Sequence, residues 1–198
     1  MSLSRTRIAA LALFVAAGTA LAAPAQAAGG HRTLSHFDDG SFESPKAPAN
    51  SFIEPVAGQS IGPWTVTSGN VDLIGAGFWQ AAEGDQSVDL NGSGPGAIAQ
   101  TFTTVPGTTY SVTYALAGNP EGGVPLRTGQ VLIDGQDFQD FSFDVTGKTK
   151  TAMGYVGHQF SFVAQNSATT LTFQSTVAGV YGPVLDNVQV KECKPCCG

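Results

Sequence analysis

Apolar residues recur at every second position through most of this chain, and each such run is cut short by turn-forming residues. Tyr110, Val112, Tyr114 and Leu116 lie on one face of residues 108–118, with Ser111 and Thr113 on the other. Val131 and Ile133 alternate, as do Phe141, Phe143 and Val145, then Phe160 and Phe162, then Leu171 and Phe173. Val184, Val188 and Val190 continue the pattern near the end, with Asp186 interrupting it. Residues 64–67, 71–74, 87–90 and 97–104 are earlier candidates. A period of two marks a half-buried strand, and no stretch from Ala28 onward keeps helical spacing. Between the runs stand Val105-Pro106-Gly107, Asn119-Pro120, Glu121-Gly122-Gly123, Asp134-Gly135, Thr146-Gly147 and Asn166-Ser167, all turn chemistry. Short strands at this spacing predict an all-β, antiparallel sandwich or barrel in one domain, residues 37–192.

Composition narrows the partners. The chain has 15 acidic and 9 basic residues and a net charge of −6, so it is poorly suited to gripping phosphate backbones or an anionic membrane surface. At 42% apolar residues it is too hydrophobic for a disordered chain. Residues 1–27 read as a secretory signal peptide: a basic start at Arg5 and Arg7, an apolar run from Ile8 to Ala23, and Ala25-Gln26-Ala27 offering a cut after Ala27. The apolar run is shorter than the ~20 residues that span a bilayer. The expected mature product is therefore secreted, with no membrane span, a short N-terminal extension (28–36) and a cysteine-rich tail (193–198). Cys193, Cys196 and Cys197 are the disulfide candidates, giving one local bridge and a spare thiol that could link a partner.

Several motifs resemble one family. The run Gly77-Phe78-Trp79-Gln80-Ala81-Ala82-Glu83-Gly84-Asp85-Gln86-Ser87-Val88-Asp89-Leu90-Asn91-Gly92 is similar to the signature of the bacterial choice-of-anchor C family. So are Pro95 to Phe102, Pro106 to Tyr110, Ala115 to Pro120 and Gly182 to Val190. The same blocks resemble a plant cell-wall family long labelled a domain of unknown function. The resemblance implies a galactose-binding-domain-like jelly roll, an architecture shared by many carbohydrate-binding modules. Members often end in an anchoring segment, whereas this chain ends in the cysteine tail.

Catalytic patterns are missing from the sequence. Asp72, Glu83, Asp85, Asp89 and Asp186 are carboxyl candidates, but none sits in a motif that demands catalysis. No Gly-x-Ser-x-Gly elbow occurs, and the one histidine inside a predicted strand, His158, is expected to face solvent. Sugar recognition needs flat apolar platforms and planar polar groups. Trp79 is the first platform candidate, with core burial as its alternative, followed by Tyr181 and Tyr155. Arg127 and Asn119, in a Gly/Pro-rich loop at a sheet end, are the polar candidates. Trp64 is expected in the core.

In jelly-roll carbohydrate-binding modules, which this pairing resembles, an N-terminal Phe-Glu and a last-strand Asp meet around one Ca²⁺. Here these would be Phe42-Glu43 and Asp186. The alternative is that Asp186 caps backbone amides. The resulting expectation is a non-catalytic module binding cell-wall or extracellular polysaccharide. A structural or adhesive protein with a protein partner is the alternative, and a hydrolase comes last.

Overall fold

The computed structural model describes residues 36–193. The expected signal peptide, most of the N-terminal extension, Cys196 and Cys197 lie outside the described residues. Twelve strands run in chain order: β1 (Phe52–Ile53), β2 (Ser60–Ile61), β3 (Trp64–Ser68), β4 (Asp72–Ile74), β5 (Ser87–Asp89), β6 (Ala97–Thr103), β7 (Thr109–Gly118), β8 (Leu126–Ile133), β9 (Gln136–Asp144), β10 (Val156–Val163), β11 (Ala168–Ser175) and β12 (Pro183–Glu192). They form two six-stranded sheets, ordered β1-β4-β5-β12-β7-β10 and β2-β3-β6-β11-β8-β9. The last eight strands alone, β5-β12-β7-β10 against β6-β11-β8-β9, have the strand order of a jelly roll. The all-β expectation therefore holds down to the topology.

Alternation sets the inner faces. Tyr110, Val112, Tyr114 and Leu116 are all buried along β7, and Tyr114 meets Phe141 and Phe173 of the opposite sheet edge-on. Trp64 is fully buried among Phe37, Phe42 and Phe173, and its indole N–H donates to the Asp39 carbonyl at 3.0 Å. The hairpin between β8 and β9 turns on Asp134 (φ 51°) and Gly135 (φ 77°), the left-handed pair that a type I′ turn requires. His158 departs from expectation: it is half-buried and stacks on Tyr114 with centroids 5.0 Å apart.

Asp186 no longer breaks an apolar face. The pairing of β12 with β7 slips between Asp186 and Gln189, where Asn187 takes a left-handed φ of 47°. Leu185 pairs with Leu116 and Val190 with Val112, so both point inward. The bulge between them shifts the side-chain phase, which leaves Val184 and Asp186 on the outer face. Register carries that outer face across the sheet. Val184 lies opposite Asp89, and Asp89 opposite Asp72, while Val88 and Leu73 point inward. No helix among the described residues is long and apolar enough to cross a membrane.

Candidate functional site

The outer face of the first sheet is partly roofed by the loop from β4 to β5, and a cleft of about 240 Å³ opens beside that roof. Phe52 and Ile74 come from a paired rung of β1 and β4. Phe78 and Trp79 come from the roof, and Val180 and Tyr181 from the loop entering β12. Polar groups converge from the same directions: Glu54, Asp72, Ser93, Asn119 and Glu121. The ends of β1, β5 and β7 and the beginnings of β4 and β12 come together here because neighbouring strands are antiparallel.

The floor is acidic. Ile53 pairs with Leu73, which places Glu54 on the rung of Asp72, and Asp72 pairs in turn with Asp89. Like charges directly opposite on one face repel, so each must be managed. The Glu54 Oε1 accepts from the Asn70 amide at 2.6 Å and the Ser93 hydroxyl at 2.7 Å. Asp89 is fully buried and accepts from the Asn91 and Gly182 backbone N–H groups and the Asn119 side-chain amide. Burial still pushes its carboxyl up to about 8, with Asp72 adding to the effect. Asp72 is pushed up to about 7 by burial and then by Glu54. Its Oδ1 is buried and accepts no hydrogen bond among the described residues.

The five sugar-site candidates divide. Trp79, Tyr181 and Asn119 line the cleft. Trp79 is only 6% exposed, and its indole N–H donates to Ser87 Oγ at 2.8 Å, so it is chiefly the underside of the roof. The exposed aromatic surface belongs instead to Phe52, Phe78 and Tyr181. Asn119 is committed to its own loop: its amide N–H donates to Asp89 and its Oδ1 accepts from the Glu121 N–H at 3.0 Å.

Arg127 does not face the cleft. It is fully buried beneath the β7–β8 loop and donates to the carbonyls of Asn119, Gly122 and Val124, with Tyr181 above it at 5.9 Å. A guanidinium fork can satisfy several carbonyls at once, which makes Arg127 a positioning residue for the loop and for Tyr181. Tyr155 lies away from the cleft, beside a separate hollow lined by residues such as Gln80 and Lys148, with burial raising its phenol pKa. Sequence reading singled out neither Phe52 nor Glu54. Asp72 was one carboxyl among several, although an acid between Val71 and Leu73 in a strand was a usable signal.

The expected calcium ligands do not fit the ion. Asp186 Oδ2 accepts from the Ala82 and Glu83 N–H groups at 2.7 and 2.9 Å, and its Oδ1 from the Asn187 N–H at 2.6 Å. Glu43 Oε1 accepts from the Asp85 and Gln86 N–H groups, and its other oxygen pairs with Lys46. Calcium requires about 6–8 oxygen ligands, whereas this setting offers amide hydrogens and an ammonium, which favour anions. Among the described residues no group of three or more His, Cys, Asp or Glu side chains could hold a metal. Asp186 is the backbone cap that was the alternative reading. Cys193 is exposed and makes no disulfide among the described residues, and its expected partners Cys196 and Cys197 lie outside them.

The fold and cleft define a class: an antiparallel jelly-roll module that presents an aromatic, acid-floored cleft on the outer face of one sheet. The chain belongs to the family described as Protein of unknown function (DUF642), whose model matches residues 35–191. It is 30% identical over 161 residues to Halomucin of Haloquadratum walsbyi (strain DSM 16790 / HBSQ001), a match covering 78% of this chain and 2% of that protein's length. Among solved structures it is similar to a CBM35 from Paenibacillus barcinonensis, with 19% identity, 70% of this chain and 98% of the other covered, and a TM-score of 0.45. A family 35 carbohydrate binding module from Clostridium thermocellum gives 14% identity, 72% and 99% coverage and 0.48. The CBM22-1 xylan-binding domain of P. barcinonensis Xyn10C gives 18%, 76%, 99% and 0.48.

Proposed function

We propose that the cleft binds a saccharide and that the protein is a secreted, non-catalytic module holding extracellular or cell-wall polysaccharide. Asp72 carries the reading. A buried acceptor left without a donor costs about 1–3 kcal/mol, and here it opens onto a cleft walled by Phe52, Phe78 and Tyr181. A sugar ring meets both demands, with its CH face on an aromatic ring and a hydroxyl donating to the carboxylate.

The carboxyl arrangement supports binding over hydrolysis. Glu54 and Asp72 stand side by side on one rung, and Glu121 is paired with Lys150 at 2.8 Å. Glycoside hydrolysis instead needs two carboxyls that flank the scissile bond. In the finer family reading the chain is a choice-of-anchor C protein, exported with its leader cut after Ala27. N-terminal sequencing of the exported protein should then begin at Ala28.

The deciding experiment is a glycan array with the purified protein, repeated with Tyr181→Ala and Phe52→Ala. Binding to a defined set of glycans that drops at least about tenfold in both variants supports the site. Glycan binding unchanged in both variants would move it elsewhere.

A further inference from the structure

The charge of the cleft selects among saccharides, and the inference rests on the cleft being a saccharide site. We propose that its preferred ligand is a polymer of amino sugars carrying free ammonium groups. Among the described residues the cleft's lining contains Glu54, Asp72 and Glu121 and no Lys, Arg or His. Of the two nearby cations, Arg127 is fully buried and committed to three carbonyls of the β7–β8 loop. The other, Lys150, is already paired with Glu121. A uronic acid would bring its carboxylate against Glu54 and Asp72 with no counter-charge available.

Lys150 shows what these walls accept. Its ammonium sits 3.8 Å from the centre of the Phe78 ring while it contacts Glu121 at 2.8 Å. Both of those partners line the cleft. An aromatic face with a carboxylate beside it is a setting for a primary ammonium. The same cleft is also lined by Phe52 and Tyr181 with Glu54 and Asp72, and there no described residue supplies a cation. An ammonium has three donors, enough for the Asp72 Oδ1 and for Glu54 together. Each would be a charge-assisted bond, stronger than the neutral bond a hydroxyl makes, because an ammonium beside Asp72 draws its carboxyl down from about 7 and ionises it on binding. N-acetylation removes the charge and adds bulk at the same atom, so acetylated and free-amine polymers differ at the proposed contact.

The test is titration calorimetry of the full chain against three hexamers: glucosamine, N-acetylglucosamine and galacturonic acid, at pH 6 and fixed moderate salt. The free-amine hexamer should bind at least about tenfold more tightly than the acetylated one, a difference of about 1.4 kcal/mol. The galacturonate hexamer should bind weakest. Asp72→Asn and Glu54→Gln should each cut the preference to about threefold or less. Asp85→Asn removes an exposed acid outside the cleft lining and should leave the preference intact. Equal binding of the two glucosamine-type hexamers by the unaltered protein would overturn the proposal without any variant, leaving a site for neutral sugars. A preference lost as fully in Asp85→Asn would show general attraction of a polycation to an acidic protein and overturn it too. If neither the hexamers nor any arrayed glycan binds, the saccharide reading itself falls.

Discussion

Glu43 and Asp186 hold one stretch of the β4–β5 loop from either side of Gly84. Asp186, beside the bulge of the last strand, takes the N–H groups of Ala82 and Glu83, and Glu43, near the start of the domain, takes those of Asp85 and Gln86. Gly84 between them has a φ of 62°, and a Cβ there would overlap the Glu43 carboxyl. The segment that roofs the cleft is therefore tied down by side chains from both ends of the fold. Burial pushes Glu43 up, but Lys46 and the two amides together bring its carboxyl below the ordinary value. Burial wins at Asp186, which is pushed up to about 7 against its three amide bonds.

Asp186→Ala should therefore lower stability by about 2–4 kcal/mol, because it leaves the amides of Ala82, Glu83 and Asn187 without their acceptor. Asp186→Asn keeps one carbonyl acceptor and should lose less. A chelator should leave the melting curve of the unaltered protein unchanged, as should added Ca²⁺. A midpoint that falls with chelator and returns with Ca²⁺ would reinstate the ion and overturn the capping account.

Arg127 supplies a second test. Arg127→Ala should remove three carbonyl contacts and the support beneath Tyr181, weakening saccharide binding although Arg127 does not line the cleft. Stability should fall by about 2–4 kcal/mol, since breaking a buried hydrogen-bonded group is costly. Arg127→Lys keeps the charge but lacks the planar fork, so it should recover little. Loss of binding with an unchanged melting midpoint would instead point to direct contact with the ligand.

Much of the fold was legible because alternation in β7, β9 and β11 is strong and the Asp134-Gly135 turn has one favoured geometry. The phase of β12 was not, because a bulge at Asp186 and Asn187 moves residues to the other face without changing the local composition. The site was half legible. Tyr181 and the family-like run through Trp79 marked the right region, but Trp79 is buried and the exposed ring of the cleft is Phe52. Phe52 opens a strand of two residues and Glu54 follows it, too short a run for any period to show. Arg127 misled because a lone arginine near glycines looks solvent-facing, whereas only pairing across the sheets reveals that the loop folds over it.

The buried acids give the pH dependence its sign. Asp72, Asp89 and Asp186 have carboxyls pushed up to about 7, 8 and 7 from an ordinary 3.8. The folded state holds these protons more tightly than the unfolded chain. That stabilisation is fully present below about 3.8 and is lost as pH rises through about 7 to 8. The melting midpoint should thus be higher at pH 5 than at pH 8.5, by at least several degrees. Asp89→Asn should flatten the slope. A midpoint that rises steadily from pH 5 to pH 8.5 would show that these carboxyls are ionised in the fold.

Two glycines should separate binding from stability. A Cβ at Gly182 would overlap Asp89 Oδ1 and lie close to Asn91 Oδ1 and the Asn91 backbone N, all of them fully buried and unable to give way. Gly182→Ala should cost about 2–4 kcal/mol and abolish binding along with the corner that carries Tyr181. At Gly122 the added carbon would instead come within 2.7–3.3 Å of the Tyr181 ring, on a loop where the ring can swing outward. Gly122→Ala should leave the melting midpoint within a few degrees, since surface substitutions usually stay within about 0.5 kcal/mol. Saccharide affinity should fall several-fold because the ring leaves its place over Arg127. Titration and melting of the two variants side by side provide the check. If Gly122→Ala binds as tightly as the unaltered protein, Tyr181 is not the platform, and the aromatic contact must come from Phe52 and Phe78.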